Sequence, residues 1–254
     1  MTGAFRSAFS FELRKLLGAT VTRVATLATV LLVSVTTAGG YAATLFAPDT
    51  DQARKVSDLM TASGWDGYTA LAATSAGISV LLAAGVVAAW TTGREFTDGT
   101  VVGLFALPTS TAAIARAKVL ALLAWATTLG LASAACTTVA GLALGLAPGG
   151  APRSLLAVTT VGVLLGASAL PAMWVATLGR GYLAGIAATL ALVVVTNVAA
   201  GFGVGQFIPW AIPTLWALPH SAVPDAALLA PASAALAGGV LTIHAWAHLQ
   251  LGNR

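Results

Sequence analysis

Six apolar blocks, at about residues 21–46, 69–91, 117–146, 154–178, 182–204 and 227–250, constrain this chain more than any other feature of its sequence. About twenty residues of α-helix, rising about 1.5 Å each, cross the roughly 30 Å hydrocarbon layer of a bilayer. Within that layer a backbone amide finds a partner only inside a helix or a closed barrel. Barrel strands would alternate polar and apolar residues over segments of about ten, and these blocks do not alternate. Composition agrees: 58% of the 254 residues are hydrophobic and 8% charged, with a mean hydropathy of +0.91, too few polar side chains to clothe a water-soluble surface. The expectation is an all-α integral membrane protein, a single transmembrane domain over 1–254 with six transmembrane helices.

Lysine and arginine set the expected orientation. With the N-terminus in the cytoplasm, nine of the twelve basic residues fall inside, among them Arg6, Arg14, Lys15, Arg23, Arg94, Arg116, Lys118 and Arg180. Only Arg54, Lys55 and Arg153 fall outside, a positive-inside bias that makes the topology N-in and C-in. The net charge of +4 is thus spread along membrane edges, not gathered into a patch with aromatics, and nucleic acid is not an expected partner. The first block is read as an uncleaved span, because it is longer than the apolar centre of about 7–15 residues in a secretory signal. Lone Cys136 permits no intramolecular disulfide.

Residues 3–18 place Phe5, Phe9, Leu13, Leu16 and Leu17 at helical spacing, with Arg6, Arg14 and Lys15 largely elsewhere. That pattern describes an amphipathic helix lying in the membrane interface with Phe5, Phe9, Leu13 and Leu16 in lipid; the plain alternative is the cytoplasmic beginning of the first span. Segment 47–68 suits a short polar outer cap. Segment 205–226 carries four prolines among Phe207, Trp210, Ile212 and Trp216, too apolar for a solvated loop and too broken for a span. It is expected to dip into the outer leaflet as short helices, with the tryptophans at headgroup depth. Glycine pairs four apart, such as Gly162 and Gly166, imply close helix packing.

Every aspartate and glutamate falls in a terminus or loop by this reading, and no buried lysine is expected in a span, so ion-coupled transport is disfavoured. No lysine follows glycine as a phosphate-binding loop requires. The chain is therefore not expected to be an enzyme or to bind a cofactor. His244 and His248 stand four apart but lack a third ligand, and polar groups at the end of the last span explain them better than a metal.

Charge reappears in Gly93-Arg94-Glu95-Phe96-Thr97-Asp98-Gly99-Thr100, between the second and third blocks. It can be a solvated cytoplasmic turn or a turn presented to another protein. The string Arg94 to Thr100, continuing through Leu104-Phe105-Ala106-Leu107-Pro108-Thr109-Ser110 to Lys118, resembles the signature of ABC-2-type transporter permeases. The N-terminal Phe11-Glu12-Leu13-Arg14-Lys15-Leu16 and the six-span order extend the resemblance. Members often carry an arginine just after the Pro-x-Ser turn, where this chain has Thr111-Ala112-Ala113.

That resemblance implies a bacterial plasma-membrane permease of an ABC exporter, with segment 92–116 coupling to a separate ATP-binding subunit. Two ATPase copies would supply ATP and Mg, and a second permease copy or a homologue would complete a dimer. The expected coupling residues are Arg94, Glu95, Phe96, Asp98, Gly99 and Thr100: Glu95 bonding an arginine of the partner, Gly99 allowing a close or left-handed turn, Thr100 capping the next helical stretch. Membrane lipid is the expected partner of the N-terminal helix, whose named residues are Phe5, Phe9, Glu12, Leu13, Arg14, Lys15 and Leu16. The substrate class implied is a drug, antibiotic, lipid or polysaccharide, with an apolar lining favouring a hydrophobic or amphipathic molecule. An integral membrane enzyme or a scaffold is the competing class, opposed by the absence of catalytic groups and by the coupling motif respectively.

Overall fold

Blocks without strand-like alternation have no edge to pair, and in the computed structural model, which describes residues 3–60 and 62–250, the chain is helical with no strand among the described residues. Helix α1 (Gly3–Gly18) is separated from α2 (Thr20–Phe46) by Ala19 in an extended conformation. A short helix α3 (Asp51–Leu59), N-capped by the Thr50 hydroxyl, leads to α4 (Gly64–Thr97). The small helix α5 (Val101–Leu104) and a turn at Pro108 then connect to α6 (Thr111–Ala143). Helices α7 (Ala151–Ala167) and α8 (Pro171–Leu178) form one interrupted span, and α9 (Tyr182–Gly201) the next. Five-residue α10 (Ile212–Trp216) lies in the broken segment before α11 (Leu229–Ala247). Six of these units are long and apolar enough to cross a membrane.

The interior is built on small residues. Spans α4, α6 and α7–α8 bury 56%, 50% and 50% of their most apolar windows, against 22% for α2 and α9. The first three are therefore the centre of the bundle, and α2, α9 and α11 its outside. Alanine, glycine and threonine dominate the α4 surface that is buried, which lets neighbouring backbones approach. A β-carbon on Gly162 would lie 2.7 Å from the Gly130 Cα, so α6 and α7 touch backbone to backbone. Gly93 abuts the Tyr182 backbone in the same way. Gly93→Ala should cost about 1–3 kcal/mol by overpacking, read as a lower thermal midpoint in detergent, while Gly201→Ala, facing open space, should leave the midpoint unchanged.

At the end carrying α3, Tyr68 is fully buried and stacks edge-on with Tyr41 at 5.3 Å and Trp65 at 5.6 Å. Its hydroxyl donates to the Thr137 carbonyl at 2.6 Å, tying α4 to α6. The broken segment enters the bundle at this end. Its Thr214 hydroxyl meets Gly77, and the Trp210 indole N–H donates to the Ser168 carbonyl at 2.9 Å. Ser168 follows the last turn of α7, where Pro171 interrupts the helical ladder and a donor from outside is needed. Trp210 thus packs against the core, and the interrupted span supplies a polar group for its N–H.

Helix α1 differs from expectation. Leu16 is buried, and Phe9 and Leu13 pack against the central core instead of facing lipid. Phe11 and Leu17 are the apolar side chains that α1 exposes. Phe9, Leu13 and Leu16 share one face of α1, and α6 offers that face a protein surface.

Candidate functional site

A lysine one or two turns into α6 and a glutamate in the last turn of α4 approach the same membrane edge, and the packing of these helices brings the two side chains together. Lys118 has no exposed surface and Glu95 is 2% exposed. The Lys118 ammonium donates to Glu95 Oε1 at 2.8 Å, to Glu12 Oε2 at 2.8 Å and to the Thr91 carbonyl at 3.3 Å. Three acceptors satisfy its three N–H donors. Glu95 Oε1 also receives the Lys15 ammonium, and Glu95 Oε2 accepts the Thr100 hydroxyl at 2.6 Å. Two carboxylates and two ammonium groups thus close a cluster of zero net charge that joins α1, α4, α6 and the turn after α4.

Burying such charges is tolerable only with this degree of mutual satisfaction. Trp246 of α11 seals one side: it is fully buried, its indole N–H donates to the Thr177 hydroxyl at 3.0 Å, and its ring lies 5.8 Å from the Lys118 nitrogen. Phe96 packs edge-on against the same indole at 6.1 Å.

Several site expectations are corrected here. Glu95 does not project from a cytoplasmic turn toward a partner's arginine; it points inward, because Lys118 and Lys15 offer it ammonium groups inside the chain. A buried lysine does occupy a span, and Glu12 and Glu95 are buried within helices, contrary to the reading of all carboxylates as terminal or loop groups. The Thr100 hydroxyl makes no capping bond to α5 and serves Glu95 instead. Arg94 lies over the Trp90 ring at 4.5 Å and reaches Asp98 at 3.9 Å, so it too is partly engaged within the chain. Phe5 is half-buried and Arg14 exposed, and neither joins the cluster. His248 Nδ1 sits 2.9 Å from the His244 carbonyl oxygen.

The turn that follows is what this end presents to solvent. Gly99 has φ +70°, the left-handed conformation that reverses the chain, and nothing lies within 4 Å of where its β-carbon would stand. Its role is the turn and not a close approach. Beyond it Val102, Phe105 and Leu107 are 59%, 41% and 51% exposed, an apolar ridge, while Leu104 between them packs against Ile114, Ala115 and Trp246 and holds the loop to the bundle. The Ser110 hydroxyl then accepts the Ala113 N–H and starts α6. Asp98, Gly99 and Thr100 lie at the base of this ridge and are exposed as residues.

Sequence reasoning singled out Glu12, Lys15, Glu95 and Thr100 without seeing that they meet. It missed Lys118 and Trp246 as members of the site and the apolar ridge as its outward face. A lysine and a glutamate each within a turn or two of the same membrane edge on consecutive spans was the available signal for the pair; nothing local marks Trp246.

The geometry is that of a lever: a protruding apolar turn, attached through Thr100 and Glu95 to a buried polar joint among three helices. A family model described as an ABC-2 family transporter protein matches residues 8–196, which include the joint, the ridge and α1 from Ala8 onward. No curated protein matches the chain.

Proposed function

We propose, from the premise that the chain belongs to the ABC-2 family of transporter membrane proteins, that this permease subunit of an ABC transporter works as an ATP-driven exporter whose 98–110 turn docks on a separate ATPase subunit. The observation that carries the docking is the exposed ridge of Val102, Phe105 and Leu107 standing on the buried Glu95–Lys118 joint. An apolar ridge with a charged base seats well in a groove of another protein, where buried aromatic and aliphatic anchors carry most of the binding energy. Movement of that groove pulls on Thr100 and Glu95, and through them on α1 and α6. The force has a defined path into the membrane.

Two ATPases would bind ATP and Mg and serve two permeases, either identical copies or this chain with a homologue. The sparsely buried α2 and α9 leave room for the second permease on the outside of the bundle. The substrate we favour is hydrophobic or amphipathic, in keeping with the apolar spans. The test is co-expression with an ATPase encoded in the adjacent reading frame. Co-purification and substrate-stimulated ATP hydrolysis would support the reading; a scaffold or membrane enzyme would show neither.

The N-in, C-in orientation belongs to the same proposal and rests on the basic asymmetry. In a Cys136→Ser background, cysteines placed at Ser57 and Ala222, both exposed, should react with an impermeant reagent in intact cells, and one at Val102 should not. Labelling at Val102 alone would invert the topology.

A further inference from the structure

The opposite end of the bundle from the polar joint carries a cavity of about 900 Å³ between the first turns of α4, the N-terminal turn of α7 and the segment 216–225. Its volume is in the range of small-molecule sites, roughly 300–1,000 Å³. Three charged side chains line it, Arg153 and the carboxylates of Asp66 and Asp225. Asp66 stands in the first turn of α4, and Arg153 is the third residue of α7. Both are exposed, and among the described residues neither forms an ion pair.

Arg153 is the odder of the two. A cation in the first turn of a helix is repelled by the positive end of the helix dipole and adds to its demand for an anion. A phosphate there would satisfy the guanidinium, which forms no ion pair among the described residues. Across the cavity the chemistry is reversed: Asp66 offers a carboxylate, and the Trp216 indole lines the space with an aromatic surface of the kind that attracts cations. The Trp216 N–H donates to Asp225 Oδ1 at 2.8 Å, which holds that ring and a second carboxylate at the rim. Leu156 lines the cavity and is also 67% exposed, so the cavity is open on one side along an apolar face of α7.

We infer that this cavity binds a zwitterionic phosphate–ammonium headgroup, with the phosphate at Arg153 and the ammonium at Asp66 and Trp216. The lateral opening suits the acyl chains of a phosphatidylethanolamine. Assigning the cavity to the outer leaflet rests on the orientation proposed above; the binding itself does not, so the two fail separately.

Native mass spectrometry of the full chain, delipidated and then offered equal amounts of phosphatidylethanolamine and phosphatidylglycerol, tests this. The wild type should retain the zwitterionic lipid about tenfold better, a difference of about 1.4 kcal/mol. Asp66→Asn should reverse that preference toward the anionic lipid, and Arg153→Gln should weaken retention of both. Both side chains are exposed, so the variants should fold. Displacement by soluble phosphoethanolamine would support recognition of the headgroup whatever carries it, and failure to displace, with the preference intact, would support the lipid form. Equal retention of the two lipids by the wild type, or a preference that neither substitution alters, would overturn the inference.

Discussion

Lys118→Met is expected to lower the stability of the permease by about 3–5 kcal/mol, because it leaves Glu12 and Glu95 buried together with only the half-buried Lys15 to balance them. Thermal or denaturant unfolding in detergent would measure it. Removing the charge from all three groups, with Glu12→Gln and Glu95→Gln added to Lys118→Met, should recover a good part of the loss, since the cost lies in uncompensated charge and not in the missing lysine stem. A cycle comparing single and combined variants isolates that coupling. Additive losses would mean that the cluster contributes through packing alone. Glu95→Ala should also destabilise, yet less than Lys118→Met, for Lys118 keeps Glu12 and the Thr91 carbonyl.

Replacing Phe105 and Leu107 together by aspartate should leave the fold intact and abolish ATPase docking. Both side chains are exposed, so exposed-site changes within about 0.5 kcal/mol are expected for the chain alone. Truncation of anchor residues at an interface costs about 2 kcal/mol or more each, and two of them would weaken binding by roughly a hundredfold or beyond. Co-purification with the ATPase and stimulated ATP hydrolysis are the readouts. A double variant that retains both would place the docking surface elsewhere. Comparison with Glu95→Ala is informative: the ridge variant should lose partner binding with an unchanged thermal midpoint, whereas loss of Glu95 should lower the midpoint as well.

The spans were readable because bilayer crossing imposes a length and a composition on each segment separately. The six blocks reappear in the six long apolar units, with α4 extended at both ends and the fourth unit interrupted at Ser168–Leu170. What stayed hidden depends on which helix neighbours which. The stripe Phe9, Leu13, Leu16 has the same periodicity whether it meets lipid or protein, and only the position of α6 decides. Glu95 likewise looks like a surface charge when read beside Asp98 and Gly99. Its inward turn follows from Lys118, 23 residues on, and from Glu12 and Lys15, about 80 residues earlier. The partner of the Trp210 N–H was hidden for the same reason, because Ser168, whose carbonyl the interrupted ladder frees, lies 42 residues away.

The zero net charge of the joint has an electrical meaning. Moving one elementary charge through a membrane potential takes about 2.3 kcal/mol per 100 mV. Glu12 and Lys15 cancel on α1, and Glu95 and Lys118 cancel between α4 and α6. Displacing these four groups together therefore moves dipoles but adds no net charge to what crosses the bilayer. The joint can move in either direction without the resting potential assisting or opposing it.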